Sequence, residues 1–351
     1  MKKIFAFLSI FLSFSIFSQK VVMERPDEVI EPNPFIEEYF KDHYDYTKFK
    51  EMISLNLAKA KDFKADTIYR TIFNKQGQVL TKTRYRGNVP KTITKYSYLS
   101  DGNLKSWNYG DGKSNIKASY FYNNENQIRQ ILQYHLRNRK SGLDSSLQGN
   151  SKFIYENSRL QKISSIQTKA DTYHYEKDRL IRKTGGYISK LFSYYPNGNL
   201  REITEFMGSE IDRSKLMGIK KYYYNRENLL VCDSILTSSN FETKTYQVTH
   251  YEYDENQKLK KFRVDFGSSY SEVEFSYENK RLKTSQVKTN DVNYKVAYLR
   301  FPIPSGIPLN PSGLMNYKDE FFYDNNGNKT GKKVFVEGAL FFEMKFELIP
   351  W

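Results

Sequence analysis

One short pattern recurs along this chain and limits its fold more than any other feature: an aromatic, any residue, Tyr, a polar turn, then an aliphatic. It stands at Tyr96-Ser97-Tyr98, Tyr120-Phe121-Tyr122, Phe153-Ile154-Tyr155, Tyr173-His174-Tyr175 and Phe192-Ser193-Tyr194. It returns at Tyr222-Tyr223-Tyr224, Tyr251-Glu252-Tyr253, Phe275-Ser276-Tyr277 and Phe321-Phe322-Tyr323, with a weaker first copy at Thr71-Ile72-Phe73. The two key positions are two residues apart, so both side chains fall on one face of a strand.

The turns that follow come in two lengths. In seven copies the sixth residue after the key aromatic closes the turn: Val79, Leu104, Ile128, Leu200, Leu230, Leu259 and, in the last copy, Lys329. That spacing predicts a three-residue loop whose third position is left-handed, where Gly or Asn costs least. Gly77, Gly102, Asn126, Gly198, Asn228 and Gly327 hold that place, and only Gln257 departs. In the other three copies the aliphatic, Leu160, Leu180 or Leu282, comes one residue earlier. The loop shrinks to Asn157-Ser158, Lys177-Asp178 or Asn279-Lys280, so Tyr still faces Leu and the apolar face keeps its side. The same copies place Glu156 opposite Arg159, Glu176 opposite Arg179 and Glu278 opposite Arg281, which reads as three cross-strand ion pairs.

Tyr251-Glu252-Tyr253-Asp254 with Leu259, and Phe321-Phe322-Tyr323-Asp324-Asn325-Asn326-Gly327-Asn328, resemble the YD-repeat (Rhs-type) family of bacterial exported and surface proteins. Tyr194-Tyr195-Pro196-Asn197-Gly198-Asn199-Leu200 looks like the related MORN-variant repeats. The resemblance covers roughly residues 69 to 347. It implies hairpin repeats curling into an open spiral or shell that serves as container, scaffold or binding surface, and it implies no particular activity.

Residues 1–18 read as a secretory signal: Lys2 and Lys3 precede an apolar run from Ile4 to Phe17, and Ser18 precedes polar Gln19. The run is too short to span a bilayer comfortably. The single Cys232 excludes an intramolecular disulfide. The chain is polar on average yet carries 29 Tyr and 25 Phe, which suits strands rather than disorder. Its formal charge of +15 is spread as single Lys and Arg residues between aromatics. That reads either as strand faces kept soluble by Lys or as affinity for an anionic surface polymer; no motif for reading nucleic acid occurs.

The expected fold is therefore mainly β: tandem antiparallel β-hairpin repeats forming an extended, twisted or curling sheet, with a short N-terminal helical segment. Residues 19–68 form an extended lead and helical cap, and 69–351 the repeat domain. Asn33 with Pro34 starts one helix, and Phe49, Met52, Ile53 and Leu57 space a second from about Thr47 to Asp62, capping an open sheet edge. The stretch at 301–313 is a Pro-rich insertion, either a packed crossover or a contact loop, with Pro302, Pro304, Ile307 and Pro308 as partner-contact residues.

No nucleophile elbow, metalloprotease helix or phosphate-binding loop is present, so no catalytic residue, cofactor or metal is expected. His174 and His250 belong to copies far apart. Asp101, Asp178, Asp254 and Asp324 are explained by turn chemistry. The aromatics of the second strand face, Tyr195, Tyr223, Phe121 and Phe322, are the candidates for stacking on a ligand such as a sugar. C-terminal Trp351 invites comparison with outer-membrane barrels, but Glu343, Lys345 and Glu347 share the register of Ile349, which argues against an integral membrane protein. The functional expectation is an exported, non-enzymatic repeat protein, periplasmic or extracellular, that presents a binding or scaffold surface to a cell-envelope polysaccharide or protein partner. A glycan-active hydrolase and a neutralising or encapsulating partner of a secreted toxin are the alternatives.

Overall fold

The computed structural model describes residue 32 and residues 44–57, 66–86, 88–112, 114–139, 142–166, 170–238, 244–290 and 315–351. The signal segment, the helix expected at Asn33 and the Pro-rich insertion lie outside the described residues.

The first six strands are β1 (Phe49–Asn56), β2 (Asp66–Phe73), β3 (Val79–Arg86), β4 (Val89–Tyr98), β5 (Leu104–Gly110) and β6 (Asn115–Tyr122). Then follow β7 (Ile128–Arg139), β8 (Gly142–Glu156), β9 (Arg159–Ser165), β10 (Asp171–Glu176), β11 (Arg179–Thr184) and β12 (Ile188–Tyr194). The next five are β13 (Leu200–Met207), β14 (Leu216–Tyr224), β15 (Leu230–Ser238), β16 (Lys244–Tyr253) and β17 (Leu259–Phe266). The last five are β18 (Ser269–Glu278), β19 (Arg281–Thr289), β20 (Met315–Tyr323), β21 (Lys329–Val336) and β22 (Ala339–Pro350).

The ten hairpins hold the register that the turn lengths dictate. Phe73 pairs with Val79, Tyr98 with Leu104, Tyr253 with Leu259 and Tyr323 with Lys329, each beside a one-residue bulge. Tyr155 pairs with Leu160 and Tyr277 with Leu282 across the shorter turns. All seven three-residue loops carry a left-handed third residue, with φ from +60° to +99°, Gln257 included at +61°.

Each strand pairs antiparallel with its neighbours in sequence, and β1 pairs with both β2 and β22. The sheet is thus a closed 22-stranded barrel, which corrects the expected extended or curling sheet. Closure gives the N–H and C=O groups of both outermost strands a ladder, where an open sheet would leave two bare edges.

The helical cap is corrected with it. Residues 46–48 form a single 3-10 turn, Tyr46–Lys48, and Phe49 begins a strand. Met52 and Ser54 point inward, opposite Leu348 and Phe346 of β22, while Ile53 points outward opposite Glu347. The helical spacing of Phe49, Met52 and Ile53 yields because β1 gains a ladder on each side, more than local propensity supplies. Tyr46 stacks on Phe73, with ring centroids 4.9 Å apart, and sews the start of the ring to its first hairpin.

Every described strand belongs to this one sheet, so its buried face is the one turned inward. The key Tyr–Leu pairs form a first layer at the tight-turn end. A second layer lies beneath, with Phe153 against Ile163, Phe192 against Ile203 and Tyr251 against Phe262. These side chains form one packed cluster from β8 to β20. Leu160, Val264, Val273 and Val334 are fully buried in the barrel, and each such burial stabilises the fold by about 1.5–3 kcal/mol.

Charged groups that face inward beside the packed cluster are partnered, as Lys190, Asp233 and Lys332 show, because an isolated charge there is costly. Lys190 meets Glu205 at 3.0 Å and Lys332 meets Asp319 at 2.9 Å, while Asp233 accepts from Tyr251 at 2.6 Å.

Two sets of contacts recur between neighbouring hairpins. The phenol of one key tyrosine donates to the carbonyl of the preceding hairpin's aliphatic. Tyr98 reaches Val79, Tyr122 Leu104, Tyr155 Ile128 and Tyr194 Leu180. Tyr253 reaches Leu230, Tyr277 Leu259 and Tyr323 Leu282, and the seven bonds span 2.7–3.0 Å. Tyr44 continues the series across the seam, donating to Lys329 at 2.6 Å.

Around the turn rim, Gln78 donates to Gly102, Gln127 to Ser158 and Lys258 to Lys280, each at a backbone carbonyl of the next turn. Arg159 likewise reaches Lys177 and Asp178. This corrects the expected ion pairing with Glu156: the two stand opposite in register, but the guanidinium crosses to the neighbouring hairpin.

Candidate functional site: an aromatic inner wall

From β8 to β20 the second-layer rings are buried in one packed cluster, but β2 to β6 differ. Register places Tyr69, Lys82, Arg84, Tyr96, Tyr98, Trp107, Tyr109, Tyr120 and Tyr122 on the inward side there. Of these only Tyr120 is buried; the other aromatics are half-buried and Arg84 is exposed. None joins the packed cluster, whose edge lies at Ile128 and Ile131 of β7.

The wall has internal order. Tyr96 and Trp107 face each other across β4 and β5. Trp107 Nε1 donates to Tyr120 Oη at 3.1 Å, which fixes the indole plane beside the next hairpin. Ala118, opposite Trp107 on β6, leaves room for that ring. The Lys82 ammonium lies 5.4 Å over the Tyr69 ring.

Burial holds these phenols in their neutral form. It raises Tyr96, with nearby Tyr120 adding to the shift and a hydrogen bond to Thr94 opposing it. Tyr122 is pushed up to about 12 by burial first, then by Tyr120 and Asp101. Tyr109 is raised by burial and Asp111 against the pull of Arg84. A wall of this kind offers flat rings and neutral donors flanked by two cations. Such a surface stacks on sugar or aromatic rings and hydrogen-bonds hydroxyls.

The aromatics singled out from sequence are not brought together. Phe121 on β6, Tyr223 on β14 and Phe322 on β20 all face outward. At about 4.8 Å per strand they stand roughly 40 and 30 Å apart around the wall. Phe121 and Tyr223 are exposed, whereas Lys333 covers Phe322 at 5.3 Å. Tyr195 sits in a turn, donates to the Tyr222 carbonyl at 3.0 Å and packs edge-on against Tyr224. Its hydroxyl is thereby spent on the fold. Pro302, Pro304, Ile307 and Pro308 lie outside the described residues.

His174 is on β10 and His250 on β16, six strands away. The turn acids cap their own loops: Asp101 accepts from Asn103, Asp254 from Asn256 and Lys258, and Asp324 from Asn328.

Sequence reasoning missed the inner wall because it assigned most of the repeated tyrosines to the core and sought ligand contacts on the second strand face. No sequence signal separates the wall from the core: Trp107 stands opposite Tyr96 as buried Phe262 stands opposite Tyr251.

A scan against protein-family models finds no match, and a search of curated proteins finds none either. Among solved structures, TcdB2-TccC3 superposes with a TM-score of 0.32 at 14% identity over 80% of this chain. The matched part spans 16% of that chain's length. A porin-like protein from Bacteroides uniformis superposes at 0.29 and 8% identity, covering 86% of this chain and 97% of its own. One from Bacteroides vulgatus superposes at 0.27 and 9%, covering 85% and 98%. At such TM-scores these superpositions carry no argument about this protein's function.

Proposed function

We propose that the protein is an exported, water-soluble barrel that binds a cell-envelope polysaccharide along the half-open aromatic wall of β2 to β6. The signal pattern at residues 1–18 supports export. Among the described residues no helix is long and apolar enough to cross a membrane. That says nothing about strands, so the weight falls on the outward face. A barrel seated in lipid carries an apolar band outside. Here the outward positions of β22 include Glu343, Lys345 and Glu347, and those of β17 and β18 include Lys261, Arg263, Glu272 and Glu274. The packed apolar cluster is inside, and the exposed outward apolar side chains, such as Phe121, Ile154 and Tyr223, are set among charged and polar ones. This polarity favours an aqueous setting on the outer side.

The observation that carries the binding reading is a contrast in the second layer: its rings are buried from Phe153 to Phe321, whereas Tyr96 and the facing Trp107 stay half-buried. Trp107 offers a direct assay. With Trp351 replaced by Phe, titration of soluble envelope polysaccharide should change Trp107 fluorescence saturably. Tyr96→Ala should weaken binding about 2- to 13-fold, the loss expected from one stacking contact of about 0.5–1.5 kcal/mol. Tyr223→Ala, on the outer face, should leave it unchanged. An absence of saturable binding, or sensitivity to Tyr223 rather than Tyr96, refutes the proposal.

A further inference from the structure

The turn rim holds a second feature that the aromatic wall does not use. A cleft of about 540 Å³ opens between the turn joining β16 to β17 and the turn joining β18 to β19. Phe275 and Tyr277 line its apolar part, and its mouth carries Lys258, Lys260 and Lys280 against a single carboxylate, Asp254.

The charges are unequally engaged. Asp254 Oδ1 accepts two backbone N–H groups of its own turn, from Asn256 and Lys258, both at 2.9 Å. The Lys258 ammonium donates to the Lys280 carbonyl at 2.8 Å and lies 4.7 Å over the Tyr277 ring. Glu278, at the end of β18 next to Tyr277, is taken by Lys283 at 2.9 Å. Lys260 and Lys280 are exposed and have no acidic partner among the described residues. The hairpin framework sets their positions: Lys260 is the extra residue of a bulge, and Lys280 occupies the left-handed second place of a two-residue turn, φ +63°. Two ammonium groups on the turns therefore line one cleft whose three lysines face a single acid, Asp254, itself held by the N–H groups of its own turn.

We propose that this cleft is an anion-binding site, built for closely spaced phosphate or carboxylate groups bridged by Lys260 and Lys280. Lys258 closes one side as a fixed wall, while the Phe275 and Tyr277 rings limit how deep the ligand sits. The site stands apart from the aromatic wall, with β20, β21, β22 and β1 between them on the shorter way round the ring, so either can fail alone.

Isothermal titration of the mature protein with tripolyphosphate, with tri-galacturonate and with neutral maltotriose tests it. Saturable binding of at least one of the two anions is expected, and which one binds identifies the charged group. Lys260→Gln with Lys280→Gln should weaken that binding at least tenfold. Lys288→Gln, an exposed charge at the other end of β19, should have no effect. Maltotriose should not compete. Failure of both anions to bind saturably overturns the proposal, as does an equal loss with Lys288→Gln, which would mark diffuse attraction to a basic surface. Both altered lysines are exposed, and a single Lys260→Glu variant, expected to abolish binding with its circular dichroism unchanged, guards against a folding artefact.

Discussion

Replacing Tyr253 by Phe removes one oxygen and nothing else, and the barrel gives that oxygen a defined task. Its hydroxyl donates to the Leu230 carbonyl at 2.8 Å, from a half-buried position on the packed inner face. The ring of Phe fills the same space, so apolar burial is unchanged. What is lost is one hydrogen bond between consecutive hairpins, a net cost of about 0.5–1.5 kcal/mol. Tyr277 makes the equivalent bond one hairpin further on, to Leu259 at 2.7 Å. The two rungs are roughly 10 Å apart, two strand spacings, so their losses should nearly add, to about 1–3 kcal/mol. Tyr223→Phe, on the outer face, should cost under about 0.5 kcal/mol. Urea denaturation of the mature protein, comparing midpoints at constant slope, measures all four variants. The reasoning fails if Tyr253→Phe is indistinguishable from Tyr223→Phe, or if the double variant costs no more than either single change.

Two other outcomes follow from the same geometry. Gln257→Gly should stabilise the protein by about 0.5 kcal/mol, since relief at φ +61° outweighs the added unfolded-state freedom, and a lower melting temperature would contradict this. The phenols set an alkaline limit: burial, with smaller contributions from neighbouring Tyr and Asp, pushes Tyr122 and Tyr224 up to about 12 from an ordinary 10.0. A raised folded-state value contributes stability that is complete below pH 10 and is lost as pH climbs toward 12. The melting temperature should hold between pH 7 and 9.5 and fall above about pH 10. A stability flat through pH 11.5 would refute it.

The hairpins were legible because each is local. Turn length, the left-handed residue and the Tyr–Leu pairing lie within eight residues, and Gln257 adopts the same conformation as the glycines despite its side chain. The preference for Tyr over Phe at the key position was also visible: nine of ten copies have it, while the position two residues earlier takes either ring. The reason was not visible. In seven of those nine the hydroxyl donates to the preceding hairpin, a contact spanning 14 to 41 residues. Phe73 is the exception, and its predecessor around the ring is the seam rather than a hairpin.

Closure was illegible for a related reason. It joins Met52 to Leu348, and no local pattern in residues 49–56 announces a partner so remote. The same blindness applied to the wall. Whether Tyr96 and Trp107 are covered depends on how the whole ring packs, and both carry the sequence signature of core residues.

The claim on which the rest depends is that β1 and β22 meet. With Cys232 changed to Ser, cysteines at Ile53 and Glu347, which are direct register partners on the outer face, test it by oxidation and non-reducing electrophoresis. Cross-strand partners lie about 4.5–5.5 Å apart at Cα, within the range a disulfide bridges. The closed barrel predicts rapid, near-complete intramolecular cross-linking in the folded protein and a faster-migrating band. In an open sheet the two strands would stand on opposite edges, on the order of 100 Å apart around the wall. Free thiols under those conditions, with only intermolecular dimers formed, would contradict the barrel.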